Sequence, residues 1–308
     1  MALSLAIGER GRPQGLVVMG EKEDREMYFP EDVEVFRTLL NQVSLAIENI
    51  QHIEEAVKEQ SEKERLRKEM EMARQIQENL LPKGSPETGG FRVEGMLIPA
   101  AEVSGDYYDF IVYSQERVGV VVGDVSGKGL DAGMVMSMVK STIVLLTERG
   151  LSPCEVVIGL NRHLCGQLKQ QKFVSLIYGE YSSEDNIFRW AGAGQEHVVV
   201  KRRDGDVEVI RTGGIILGMV EDIGDSIREQ EVKLEEGDKI LLYSDGVTEL
   251  RDSNGEMYGM ERLVEVVKEI DAGEGVRGFL NKIREELEKF KGEASQYDDI
   301  TLVVLGRE

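Results

Sequence analysis

The pattern of hydrophobic and polar positions changes period at Pro82. From residue 31 to residue 81 neither Gly nor Pro occurs, and apolar residues recur three or four apart at Phe36, Leu40, Val43, Ile47, Ile50 and Val57. The stripe lapses over the wholly polar stretch 58–65 and resumes at Leu66, Met70, Ala73, Ile76 and Leu80. This spacing predicts helix, bounded by Pro30 and Pro82. As one helix it would be about 75 Å long at ~1.5 Å per residue, too long to bury in a single domain. It then reads as a dimerising signalling helix, with a parallel coiled coil as one form. The polar lapse also allows two shorter helices, one packed on the N-terminal segment and the other on the domain beyond Pro82. Ahead of the helical span, apolar stretches 3–7 and 15–19 flank the turn-rich segment 8–14, a β-hairpin that needs a surface to pack on.

Beyond Pro82 the period shortens to two. Strands are expected at 91–98, 109–113, 118–122, 173–181, 187–191, 197–201, 207–210, 227–233, 239–243 and 300–305. Helical patterns cover 129–149, 153–170, 260–270 and 275–290. Strand runs and helix pairs that segregate in this way predict an α+β domain, its antiparallel sheets covered by helices.

Composition narrows the chemistry. The chain has 308 residues, 37 Lys and Arg against 58 Asp and Glu, and a formal net charge of −21. Such acidity repels phosphate backbones and argues against nucleic-acid binding as a main role. No apolar run approaches the ~18 residues that span a bilayer, so no membrane insertion is expected. The start carries no signal-peptide pattern. Two cysteines, Cys154 and Cys165, are too few for a disulfide framework and are expected to be free thiols of a cytoplasmic protein. Three histidines, His52, His163 and His197, argue against a His-rich metal centre.

Carboxylates are the abundant chemistry, and four turns place them at strand ends: Gly105-Asp-Tyr-Tyr-Asp109, Gly123-Asp-Val-Ser-Gly-Lys-Gly129, Tyr243-Ser-Asp-Gly-Val-Thr-Glu249 and Tyr297-Asp-Asp-Ile-Thr301. A glycine beside the aspartate lets the backbone turn or approach closely. Carboxylates on separate strands can converge at one end of a sheet pair, and oxygen-only ligands suit Mg²⁺ or Mn²⁺ rather than zinc. Any one such turn is ordinarily only a turn. The 123–129 segment fails the Walker A spacing, and Asp252-Ser-Asn-Gly lacks the other ligands of a calcium loop and reads as a hairpin turn.

In order and content the four turns resemble the metal-dependent Ser/Thr protein phosphatase (PPM) family, in its bacterial SpoIIE/RsbU-like branch. The resemblance begins at the lead-in Ala73-Arg-Gln-Ile-Gln-Glu-Asn-Leu-Leu-Pro82 and runs to the end of the chain. It implies an α/β–β/α four-layer sandwich over 83–308, preceded by a helical linker at 51–82. Residues 1–50, with Gly15-Leu-Val-Val-Met-Gly and Phe29-Pro-Glu-Asp ahead of a helix, look like the C-terminal end of a GAF sensor domain, most of which would be missing.

The resemblance also implies a binuclear Mn²⁺ or Mg²⁺ site. Asp124 would bridge two cations, the Val125 carbonyl would bind one, Asp106 would stand on one side, and Asp245 and Asp298 would complete the other, with Asp299 as a stand-in for Asp298. Catalysis would rest on Asp106, Asp124 and Asp245, since paired cations acidify a shared water and neutralise phosphoryl oxygens without a nucleophilic cysteine. The substrate would be a phosphoserine or phosphothreonine protein, a STAS-type anti-sigma-factor antagonist by resemblance. Control would pass from a sensor through helix 31–81, paired in a homodimer. Where the branch shows Ala-Gly-His-x-Pro, this chain has Ala193-Gly-Gln-Glu-His197, placing Gln195 at the histidine position. Ser126, Lys128 and His197 are candidate substrate contacts, each equally an ordinary loop or strand residue. A non-catalytic dimeric scaffold of the same fold is the alternative, which loss of the aspartates would have favoured; none is missing.

Overall fold

Two antiparallel sheets realise the period-two pattern. A computed structural model describes residues 3–9, 12–23, 26–88, 90–168, 172–195 and 197–308. The chain divides into two compact units, Met1–Glu69 and Met70–Glu308.

In the first unit, β1 (Leu3–Glu9) pairs antiparallel with β2 (Arg12–Met19), so the expected hairpin forms, although the centre of its turn lies outside the described residues. Helix α1 (Pro30–Leu80) starts here and is a single helix of 51 residues. The 58–65 stretch does not interrupt it, because that stretch is polar but contains no helix breaker. Asp32 closes its N-terminus by accepting from the Phe29 N–H at 2.9 Å and from Lys22 Nζ at 2.5 Å.

The second unit contains β3 (Glu87–Thr88), β4 (Phe91–Ile98), β5 (Tyr107–Val112), β6 (Arg117–Val125), α2 (Leu130–Thr147), α3 (Pro153–Gln167), β7 (Val174–Ser182) and β8 (Ile187–Ala193). Then come β9 (His197–Lys201), β10 (Val207–Arg211), β11 (Glu229–Lys233), β12 (Lys239–Tyr243), α4 (Asp245–Thr248), α5 (Gly259–Glu269), α6 (Val276–Lys291) and β13 (Ile300–Arg307). One sheet has the order β10-β9-β12-β13-β4-β3 and the other β11-β8-β7-β6-β5. Every expected strand and helix of this unit is present; 91–98, 197–201 and 239–243 keep their expected bounds and the others have shifted ends. β5 starts two residues early because Tyr107 already pairs with Gly123, and α3 ends at Gln167, with Lys169 and Gln170 outside the described residues. β3 and α4 are short elements that no period announces. The Asp252–Gly255 segment is the expected turn, closed by an Arg251–Met257 bridge.

Three apolar layers hold this four-layer sandwich together. Val120, Val122, Ile177, Trp190, Leu242 and Val303 fill the space between the sheets. The opposite faces of the same strands, such as Val121 and Leu241, pack under α2 and α3 on one side and under α5 and α6 on the other. Each fully buried aliphatic side chain in these layers contributes roughly 1.5–3 kcal/mol. α2 has the length and apolarity of a membrane span, which a search for unbroken apolar runs misses; its face with Met136, Val139 and Ile143 belongs to the core. Both cysteines are free thiols, and burial pushes the Cys154 thiol up.

Candidate active site

The same alternation decides what stands at one end of the sandwich. On β5 the inward series Phe110, Tyr108 continues to Asp106, and on β6 Val120, Val122 continues to Asp124. On β12 Ile240, Leu242 continues to Ser244, and on β13 Leu305, Val303 continues to Thr301. On β7 Ile177 leads back to Ser175. At this end of the strands, apolar residues give way to carboxylates and hydroxyls in the same inward phase.

Asp106 is 2% exposed, and its Oδ2 accepts from Ser244 Oγ at 2.7 Å and from Thr301 Oγ1 at 2.6 Å. Burial, then the charge of Asp124, holds its carboxyl well above the usual range. Asp124 is pushed up to about 7, first by desolvation and then by the charges of Asp245, Asp298 and Asp299, against a hydrogen bond with Asp106. Asp245 keeps solvent contact at the mouth of the cleft; partial desolvation and then the charges of Asp298 and Glu249 raise it.

The adjacent aspartates of the last turn separate cleanly. Asp299 is buried and accepts from Ala100 N–H, Ser104 Oγ and Gly105 N–H, each at 2.7 Å. Asp298 is exposed and lies within electrostatic reach of both Asp124 and Asp245. Two glycines permit the convergence by close approach. A Cβ on Gly105 would meet the Val125 carbonyl at 2.7 Å, and one on Gly246 would meet the Asp299 carbonyl at 1.9 Å.

The other sequence candidates have definite places. Ser126 is strapped to the start of β7, its Oγ accepting from Phe173 N–H at 3.0 Å and its carbonyl from Lys172 Nζ at 2.9 Å. Lys128 Nζ donates to the Tyr297 carbonyl and so ties the loop after Asp124 to the loop of Asp298. His197 opens β9 opposite Arg211, and Glu196 before it lies outside the described residues. A cleft of about 190 Å³ is lined by Asp124, Asp245, Glu249, Ser175, Gln195 and Phe173 among others; His197 is not in its described lining.

Sequence reasoning missed Ser244, Thr301, Ser175 and Gln77. The first three were detectable as polar residues in the inward phase of apolar strands. Gln77, near the end of α1, gives no such signal; its amide donates to Ser104 O at 2.6 Å and accepts from Ser104 N–H at 2.9 Å. That pair of bonds fixes the backbone two residues before Asp106.

Among the described residues, no group of three or more His, Cys, Asp or Glu side chains is gathered at metal-ligand spacing. The donor set nevertheless suits hard divalent cations: all oxygen, crowded enough that the carboxylates raise one another, and with Asp106 braced by two hydroxyls.

Residues 114–308 match the family described as Stage II sporulation protein E (SpoIIE). The phosphoserine phosphatase RsbU of Bacillus subtilis is 30% identical over 300 residues, covering 96% of this chain and 87% of that protein. Among solved structures, the SiaA-PP2C domain of Pseudomonas aeruginosa aligns with a TM-score of 0.68 at 19% identity, over 80% of this chain and 98% of that one. The PP2C phosphatase domain and regulatory fragment of SpoIIE from Bacillus subtilis align with a TM-score of 0.60 at 18% identity, over 70% and 63%.

Proposed function

The chain belongs to the SpoIIE family of PP2C-type phosphatases and is a protein serine/threonine phosphatase, and from that premise we propose that Asp106, Asp124, Asp245 and Asp298 form its catalytic metal site. The observation that carries this reading is the convergence of carboxylates from separate strands and loops at one end of the sandwich, where Asp245, Asp298 and Asp299 together raise Asp124. Two divalent cations, Mn²⁺ or Mg²⁺, would be held by these four side chains and the Val125 carbonyl, supplying Lewis-acid activation of water and neutralisation of phosphoryl charge. Asp299 serves as a brace of the Ser104–Gly105 backbone, since its oxygens already accept three hydrogen bonds. Ser244 and Thr301 orient Asp106, and Lys128 holds the loop of Asp298 against that of Asp124.

The substrate is a phosphoserine or phosphothreonine protein, with a STAS-type antagonist as the specific candidate. Residues 1–50 are the end of a GAF-like sensor, 51–82 a linker and 83–308 the phosphatase domain. Control from the sensor passes along α1, which runs unbroken to Gln77 and its bonds to Ser104. Homodimerisation is supported by exposed apolar residues Val43, Ile50 and Val57 at seven-residue intervals, with Leu39 and Ile53 at the alternate positions of the same heptads, the a/d pattern of a coiled coil.

Phosphate release from a phosphoserine protein, measured with and without Mn²⁺, tests the site. Wild type should require the ion, and Asp124→Asn and Asp245→Asn should each lose most of the metal-dependent rate. Full metal-dependent activity in both variants would refute the assignment.

A further inference from the structure

A phosphorylated side chain entering this cleft meets Asp124, Asp245 and Glu249 on its walls. A phosphoryl dianion there needs neutral hydrogen-bond donors, and the lining supplies two beside Asp124. Ser175 is the direct register partner of Asp124 across β6 and β7, so the two side chains leave the same face of the sheet with Cβ atoms roughly 4.5–5.5 Å apart. Gln195 is 7% exposed, and its Nε2 donates to Ser175 Oγ at 3.4 Å. Its backbone is fixed as well: Thr212 Oγ1 donates to the Gln195 carbonyl, and Gly194 before it holds a left-handed φ of 76°.

A serine hydroxyl has one proton and two lone pairs. With one lone pair taken by the Gln195 amide, Ser175 can turn its proton into the cleft. We propose that Ser175 is a substrate-binding residue that donates to a non-bridging phosphoryl oxygen, and that Gln195 is the positioning residue which aims that hydroxyl. The inference rests on the phosphatase site proposed above and adds to it a phosphate contact made by neither a carboxylate nor a cation. A neutral hydroxyl donor suits a cleft this acidic because it binds the anion without forming an ion pair with Asp124. The substrate class it selects is a phosphomonoester whose free phosphoryl oxygens reach the floor of the cleft.

The test combines Ser175→Ala, Ser175→Thr, Gln195→Ala and the double alanine variant, with melting temperature and half-saturating Mn²⁺ recorded for each. Inorganic phosphate is titrated calorimetrically into the Mn²⁺-loaded protein, and KM and kcat are measured on a phosphoserine protein. Ser175→Ala should weaken phosphate binding and raise KM about ten- to a hundredfold, the loss of one hydrogen bond to a charged group. Half-saturating Mn²⁺ should not move, and Ser175→Thr should restore affinity. Gln195→Ala should affect the same parameters less, and the double variant should bind no worse than Ser175→Ala, because the amide acts through the hydroxyl. Unchanged phosphate affinity in Ser175→Ala with wild-type metal dependence would overturn the proposal, and additive losses would overturn the role of Gln195. If wild type shows no metal-dependent hydrolysis, the parent reading fails instead, and calorimetry still reports whether Ser175 carries phosphate affinity.

Discussion

Replacing Gln77 by alanine should loosen the turn that carries Asp106 although Gln77 contacts no carboxylate of the site. Gln77 is 7% exposed and Ser104 1%. The substitution removes the donor to Ser104 O at 2.6 Å and the acceptor of Ser104 N–H at 2.9 Å. Two buried backbone groups are left unpaired at roughly 1–3 kcal/mol each, so about 2–6 kcal/mol in all, nearer the lower end if water enters. For a domain of this size 1 kcal/mol corresponds to roughly 2–4 °C in Tm, so the melting point should fall by at least about 4 °C. Asp106 then has to be reordered when cations bind. If about 1.4 kcal/mol of the cost falls on that step, half-saturating Mn²⁺ for phosphate release rises about tenfold. Gln77→Glu keeps the acceptor for Ser104 N–H and should fall between wild type and alanine. A Gln77→Ala protein with wild-type Tm and wild-type Mn²⁺ dependence would refute the argument.

Metal dependence should also respond to acid. With Asp124 pushed up to about 7, protons compete with cations below that pH, and half-saturating Mn²⁺ should rise by up to about tenfold per pH unit. Without metal the sign on stability is the reverse of the usual aspartate. Folding raises the Asp124 carboxyl above its unfolded value of 3.8, so between about 4 and 7 the folded state keeps a proton that the unfolded chain releases. Stability from this group is therefore fully present below about 4 and is lost as pH rises towards about 7, and thermal melts of wild type and Asp124→Asn across pH 4–7 should differ in that slope. Asp298→Asn should weaken Mn²⁺ binding with little change in Tm, whereas Asp299→Asn, which disturbs a group accepting three hydrogen bonds, should lower Tm; calorimetry and melting curves separate the two. Gly246→Ala, whose Cβ would stand 1.9 Å from the Asp299 carbonyl, should cost about 1–3 kcal/mol or more by denaturant titration.

Much of this molecule was legible because one face of nearly every strand is apolar. The short apolar runs 118–122 and 239–243 locate β6 and β12, and the aspartates just after them, Asp124 and Asp245, fall at the sheet ends as expected. The long helix was legible from the lack of Gly and Pro between 31 and 81, while its continuity through 58–65 was not, since a polar stretch of good helix formers is silent about breaks. The parts of the site that escaped are those defined by contacts between distant segments. Gln77 meets Ser104 across 27 positions, and Thr301 meets Asp106 across 195. Of the two uses expected of a glycine beside the aspartate, Gly246 shows the close approach: it admits another backbone at short range and does not adopt a left-handed turn. The roles of Asp298 and Asp299 could not be separated by spacing, because burial and hydrogen bonding distinguish them.

Whether the carboxylates at this end of the sandwich hold two cations can be read from anomalous scattering by crystals of the protein grown with Mn²⁺. Two Mn²⁺ peaks are expected beside Asp124, one flanked by Asp106 and the other by Asp245 and Asp298, with both lost in Asp124→Asn. Mn²⁺ bound elsewhere, or no peak beside Asp124 in a preparation that hydrolyses phosphoserine with Mn²⁺, would contradict the two-cation site.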